Sequence, residues 1–229
     1  MATAHIEGEV LQLQSVRASI ARRLGLTNAS VGSADKTDLR AKATLGVLQA
    51  ALQNAHRPLD NETLFDWQAA LFPTGRSGMQ PIVTDAYRTH AEPMQIVTPR
   101  IGKPDIVHYQ DPDSMDVPHH MRQLIDWFNA SHRTKAQTMD GVVRAAVVHL
   151  WFEAIHPFED GNGRVVRALV ELALAQDLQS DVQLWSISHQ MWLHRKAHYA
   201  QLQAATGHAD VNVTPWVLWF VGCGNALPL

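Results

Sequence analysis

Two apolar stretches, "VVRAAVVHLWFEAI" at 142–155 and "GRVVRALVELALAQDL" at 163–178, stand on either side of a short run, "HPFEDGN". Each is long enough for several helical turns and apolar on most faces, so each must lie deep in a core rather than on its surface. A chain with two such helices joined by a tight loop has to assemble a helical bundle around them. The first stretch is interrupted by Arg144, His149 and Glu153 and is too short to span a bilayer, so no membrane partner is expected.

Shorter patterns fill in the bundle. Leu13, Val16, Ile20 and Leu24 recur at helical spacing, and Gly25 suits the end of that helix. Leu45, Leu48 and Leu52 mark a second helix. Leu64, Trp67 and Leu71 mark a third, opened at Asp60 or Asn61 and closed before Pro73. Residues 73–93 are rich in Pro and Gly and read as loop. The β-branched runs "MQIVT" and "IVHYQ" flank "PRIGKPD", so a hairpin is expected over about 94–109, the one strand pair this sequence supports. Met121, Leu124, Ile125 and Phe128 give a further helix, and the helix-loop-helix follows over about 138–178. C-terminal helices are expected over about 186–229: a long one from Ser188 to Ala205, then one with Thr214 as cap and Pro215 at its first position. The expected fold class is mainly α, a helical bundle with one β-hairpin, forming a single domain over 1–229.

Composition narrows the chemistry. With 46% hydrophobic residues, 18% charged residues and a net charge of -3, the chain has an ordinary globular composition. Its acidic balance argues against nucleic acid as a partner. Cys223 is the only cysteine, which excludes an internal disulfide and any cysteine-based zinc site and fits a reducing compartment. The start, "MATAHIEGEV", has neither the basic nor the apolar region of a secretory signal, so a cytoplasmic location is the default.

The loop and the residues after it, "HPFEDGNGRVVR" at 156–167, carry the chemistry. Pro157 discourages a helical His156, and Gly-Asn-Gly should turn the chain into the next helix. The amides at that helix start form a ready anion site, and Gly161 and Gly163 let the backbone approach a phosphate closely. Arg164 and Arg167 sit on neighbouring faces of the following turn and can grip further phosphate oxygens. Asp160 can hold Mg²⁺ between them, and His156 can take a proton from a hydroxyl near neutral pH. A lone histidine after a buried helix is usually a structural residue, and an arginine pair is usually a solvated face. The order of base, aromatic anchor, acid, anion turn and two cations is what lifts the catalytic reading.

That dodecamer resembles the signature of the Fic-domain (Fic/DOC) family, His-Pro-Phe-x-(Asp/Glu)-Gly-Asn-Gly-Arg-x-x-Arg, at every defined position. The resemblance implies a mainly helical Fic fold and transfer of AMP from ATP to a Tyr, Thr or Ser hydroxyl of a protein, with release of pyrophosphate. It implies that His156 is the base, Phe158 the loop anchor and Asp160 the metal ligand. Gly161, Asn162 and Gly163 would form the anion hole, and Arg164 and Arg167 would hold the distal phosphates. Mg²⁺ is the implied metal, with Mn²⁺ also acceptable to one carboxylate plus phosphates. The implied partner is a hydroxyl-bearing protein, the chain itself included, and since dimers occur in the family a homodimer is compatible.

"TAHIEG" resembles the family's inhibitory pattern, Ser/Thr-x-x-x-Glu-Gly/Asn. It implies an inhibitory helix over about 1–24 in which Glu7 pairs with Arg167 and obstructs the γ-phosphate. The hairpin at about 94–109 is similar to the family's flap, which holds a target segment as an added strand. On the adenine side, relatives carry a Tyr-Tyr pair and an Asn; here His198, Tyr199 and Thr206 occupy those places and only Tyr199 is kept. "VRASIARRLGL" and "VTPWVLWF" resemble segments of one bacterial branch of the family. Two other readings stand beside adenylyl transfer: hydrolytic removal of AMP from a modified protein, with Glu7 orienting a water, and a non-catalytic helical interaction module, against which His156 and Asp160 argue.

Overall fold

A computed structural model describes residues 36–90, 95–98, 106–132, 139–179, 187–206 and 212–225. The helix expected over about 1–24, with Thr3, Glu7 and Gly8, lies outside the described residues, as does the turn of the expected flap.

Helix α1 spans Lys36–Gln53 and α2 spans Asn61–Leu71. Asp60 opens α2 by accepting the Thr63 N–H at 2.8 Å, and hydrogen bonding from the Thr63 side chain and then from its amide holds the Asp60 carboxyl below the usual carboxylate range. The buried face of α2 is Leu64, Trp67 and Leu71, as the periodicity predicts. Next come two short antiparallel pairs, β1 (Arg76–Ser77) with β2 (Gln80–Pro81), and β3 (Gln95–Thr98) with β4 (Ile106–Gln110). The second pair is the expected hairpin; its register places Gln95 opposite Gln110 and shifts between Ile96 and Val97. The first pair lies inside the span read as loop. Its two-residue strands turn on Gly75 and Gly78, both at positive φ, and offer no alternation for a sequence pattern to reveal.

Helix α3 (Val117–Ala130) turns Met121, Leu124, Ile125 and Phe128 inward. The two apolar stretches form α4 (Gly141–Ile155) and α5 (Asn162–Leu178). Asp140 caps α4 by accepting the Val142 and Val143 amides at 2.9 and 3.3 Å. These two helices pack most extensively on each other; α1 and α2 cover α5, and α3 flanks α4. Among the described side chains of α1 the buried ones are Thr44, Val47 and Ala51, one position before the leucine stripe. Val165, Val166, Leu169 and Leu172 of α5 are all buried. At about 1.5–3 kcal/mol for each fully buried aliphatic side chain, packing rather than propensity holds α5 in place.

The helix expected from Ser188 to Ala205 is two: α6 (Ile187–Leu193) and α7 (Arg195–Thr206), bent at His194. His194 N–H still donates to Gln190 O and His194 O accepts the His198 N–H, both at 2.9 Å, so the two helices meet at this residue. Helix α8 (Thr214–Asn225) begins where the Asn212 side chain accepts the Thr214 amide at 3.1 Å, so the capping oxygen belongs to Asn212 rather than Thr214. Trp216 of α8 ties it to α4 by donating its indole N–H to Ala146 O at 2.7 Å. Among the described residues no helix is long and apolar enough to cross a membrane.

Candidate active site

Helix α4 stops at His156, whose N–H still donates to Phe152 O at 2.9 Å while its backbone turns left-handed, φ 50° and ψ 58°. Pro157 disfavours a right-handed residue before it. The chain answers with a left-handed turn, which for a residue with a Cβ costs about 1–2 kcal/mol and so must be held by its surroundings. His156 lines a cleft of about 460 Å³, a volume suited to a small-molecule ligand.

Beyond it the loop is pinned on several sides. Phe158 is buried, with the rings of Tyr87, Phe152 and Phe65 at 5.8, 6.2 and 6.3 Å. Asn162 closes the loop on itself: its Oδ1 accepts the Phe158 N–H at 3.0 Å and its Nδ2 donates to Phe158 O at 2.7 Å. Its side chain thus shapes the turn, leaving the backbone of 161–163 to face the cleft. Glu159 Oε2 accepts the Val83 amide at 3.0 Å. Asp160 accepts the Gly161 amide at 2.6 Å and the hydroxyl of Ser77 from β1.

Helix α5 then begins. Gly161, at φ 89°, is its N-cap, and no side chain caps its first turn. The positive end of the helix dipole and the first-turn amides are therefore turned to the cleft that Gly161, Asn162 and Gly163 line, an arrangement made for an anion. The arginines part company one turn later. Arg167, 2% exposed, lines the cleft. Arg164 does not; its guanidinium lies 4.8 Å over the Phe72 ring and 3.7 Å from Asp160 Oδ1.

Helix α7 forms the opposite wall with Tyr199, Leu202 and Thr206. Tyr199 is 47% exposed there, on the cleft wall and not in the core. Its neighbour His198 is the buried one, 2% exposed, stacked on Trp219 at 5.7 Å and 5.4 Å from the His149 ring of α4. Burial, and then the charge of Arg167, pushes the His198 imidazole down to about 4. Burial, then His198 and Arg167, holds His149 well below its ordinary value. Both rings are neutral near pH 7, so they add hydrogen-bonding capacity without charge.

The structure brings His156, Asp160, Gly161, Asn162, Gly163, Arg167 and Tyr199 to one cleft, and leaves Arg164 behind the loop. Tyr109 and Glu153 join them with no motif to announce them, and His198 joins them from the place where relatives carry a tyrosine. The described residues hold no cluster of three candidate metal ligands. Asp160 is a half-exposed carboxylate at the cleft, which suits a Mg²⁺ that takes its other ligands from phosphate and water.

Comparison with known proteins bears on the family and the fold. Residues 58–174 match the Fic/DOC family, and residues 1–26 match a domain of unknown function (DUF4172). A "Probable protein adenylyltransferase" of Aquifex aeolicus is 35% identical over 69 residues, 30% of this chain; the match spans only 20% of that protein. The crystal structure of a Fic domain containing signaling protein from Bacteroides thetaiotaomicron shares the fold, with a TM-score of 0.70 and 22% identity over 96% of this chain and 79% of its own. A further Fic structure, IbpAFic2 in complex with adenylylated Cdc42, has a TM-score of 0.54 and 16% identity over 99% of this chain and 69% of its own.

Proposed function

The chain belongs to the Fic/DOC family, and from that premise we propose that it transfers AMP from ATP to a hydroxyl side chain of a protein. One observation carries the reading: a histidine able to act as a base shares a single cleft with an uncapped helix N-terminus and a buried arginine. The hydroxyl oxygen attacks the α-phosphorus as the bond to pyrophosphate breaks. His156 takes the hydroxyl proton, and pyrophosphate leaves with the displaced electron pair. The first-turn amides of α5 and the Arg167 guanidinium orient the phosphates and stabilise the charge that develops on them. Asp160 would hold Mg²⁺ or Mn²⁺, which neutralises phosphate charge. Tyr199 would flank the base. Arg164 would act from behind the loop by steadying Asp160.

Protein substrates are supported by the relative in complex with adenylylated Cdc42. Autoinhibition is supported by the pattern Thr3, Glu7, Gly8 together with the position of Arg167 on the cleft. A carboxylate paired with Arg167 competes with a phosphate for the same donors, so Glu7 would hold the resting rate down.

The test is incorporation of label from α-labelled ATP with Mg²⁺, into the chain itself and into a cell lysate. His156→Ala should lower transfer by about 10²–10⁴-fold while nucleotide binding persists, and Glu7→Gly should raise it. Transfer retained by His156→Ala would refute the catalytic role, and an unchanged rate in Glu7→Gly would refute inhibition. Release of AMP from a modified protein, with no incorporation in any variant, would reverse the direction of the reaction.

A further inference from the structure

We propose that Arg88 is a positioning residue that straps the flap strand β4 to the base His156, fixing the distance between a target hydroxyl and the imidazole. The inference rests on the adenylyl-transfer reading for its catalytic consequence, but its structural basis is independent of it.

Arg88 is 2% exposed, although it lies in an irregular segment between β2 and β3. Its Nε donates to His156 O at 2.8 Å, and its own amide donates to Pro157 O at 2.9 Å. The same guanidinium reaches the other way: Nη2 donates to Pro112 O at 2.5 Å and lies 3.2 Å from Asp111 Oδ2, where β4 ends. A single planar fork thus holds the carbonyl of the left-handed base residue and the end of the strand against which a target would lie. One residue before that end, Tyr109 donates its hydroxyl to Ala154 O, tying β4 also to the last turn of α4.

Stability alone accounts poorly for this arrangement. Both side chains of the Arg88–Asp111 pair are 1% exposed, and for such a pair desolvation offsets much of the attraction. What the guanidinium adds is geometry, since its donors are fixed relative to one another and a lysine cannot reproduce their spacing. It supplies from outside the loop the constraint that a non-glycine residue at positive φ requires.

Arg88→Lys keeps a cation opposite Asp111 but cannot hold both carbonyls. In a folded Arg88→Lys protein, kcat for AMP transfer should fall about 10–100-fold, with the KM for ATP unchanged within about twofold. Amide hydrogen exchange should quicken at 107–111 and 156–161 and stay constant in the core of α5. A kcat near the parent's, or unchanged exchange at both segments, would overturn the strap. Should Arg88→Lys fail to fold, Asp111→Asn replaces it: the proposal requires faster exchange at the same two segments, and unchanged exchange refutes it. If the parent transfers no AMP, the activity reading fails, while the exchange measurement still decides the strap.

Discussion

Replacing Gly161 by alanine tests how tightly the anion turn is built. Two costs are separable in the structure. The first is conformational: at φ 89° an added Cβ is strained, by about 1–2 kcal/mol. The second is steric: that Cβ would stand 2.9 Å from Phe72 Cε2 and 3.4 Å from Leu71 Cδ1. Phe72 cannot yield easily, because it is buried and its ring carries the Arg164 guanidinium. Overpacking of this kind costs about 1–3 kcal/mol, so Gly161→Ala should lose about 2–5 kcal/mol. Gly75 is the internal control, since it too has positive φ, 64°, but an added Cβ meets nothing within 4 Å. Gly75→Ala should therefore pay the conformational cost alone. Urea denaturation of the parent and both variants reads the difference, and at this chain length each kcal/mol should appear as about 2–4 °C in Tm. A Gly161→Ala protein no less stable than Gly75→Ala would show that Phe72 gives way freely, and would sink the claim that the turn is sterically fixed.

Two further outcomes follow from the same structure. Phe158→Ala should cost about 3–5 kcal/mol in urea denaturation, with Phe158→Leu recovering most of it, because the ring fills the space among Phe65, Tyr87 and Phe152. The buried His198 sets a pH dependence: the unfolded chain takes up its proton near 6.5, but the folded one only near 4. Stability from this group is complete above pH 6.5 and falls as the pH drops toward 4, by about 3 kcal/mol. His149 acts in the same direction, so His149→Phe should flatten the fall measured by urea midpoints between pH 7 and 4. Parallel pH curves for parent and variant would contradict its burial as a neutral ring.

What the sequence disclosed depends on how local the determining physics is. The end of α4 and the start of α5 follow from Pro157 and Gly161, each acting within a turn of its own position, and so they are legible, whereas the start of α4 lies about three residues past the expected Thr138, where Asp140 caps it. The bend at His194 has no Pro or Gly to mark it, so nothing in the local sequence announces where α6 ends and α7 begins. The spacing of Arg164 and Arg167 implies that they leave α5 on neighbouring faces, but the Phe72 ring that Arg164 lies over is far away in the chain and beyond the reach of that spacing. Arg88 reads as an ordinary loop residue because its acceptors at Pro112 and His156 lie 24 and 68 positions away. His198 stands where relatives carry a tyrosine, yet its burial depends on α4 and α8 packing over it.

The segment from Gly75 to Arg88 therefore has more to do with the site than its composition suggests. A turn that offers bare amides to an anion cannot spend them on its own secondary structure, so its rigidity has to come from neighbours. Here Ser77 holds Asp160, the Val83 amide holds Glu159, Tyr87 packs on Phe158 and Arg88 holds His156 and Pro157. Four successive supports from one short stretch reach four of the first five residues of the signature, and a fifth through the Arg88 amide. Substitutions in this stretch that leave the core intact should thus alter turnover more than nucleotide affinity, because they loosen the base and the acid while Arg167 and the α5 amides stay fixed in the buried bundle.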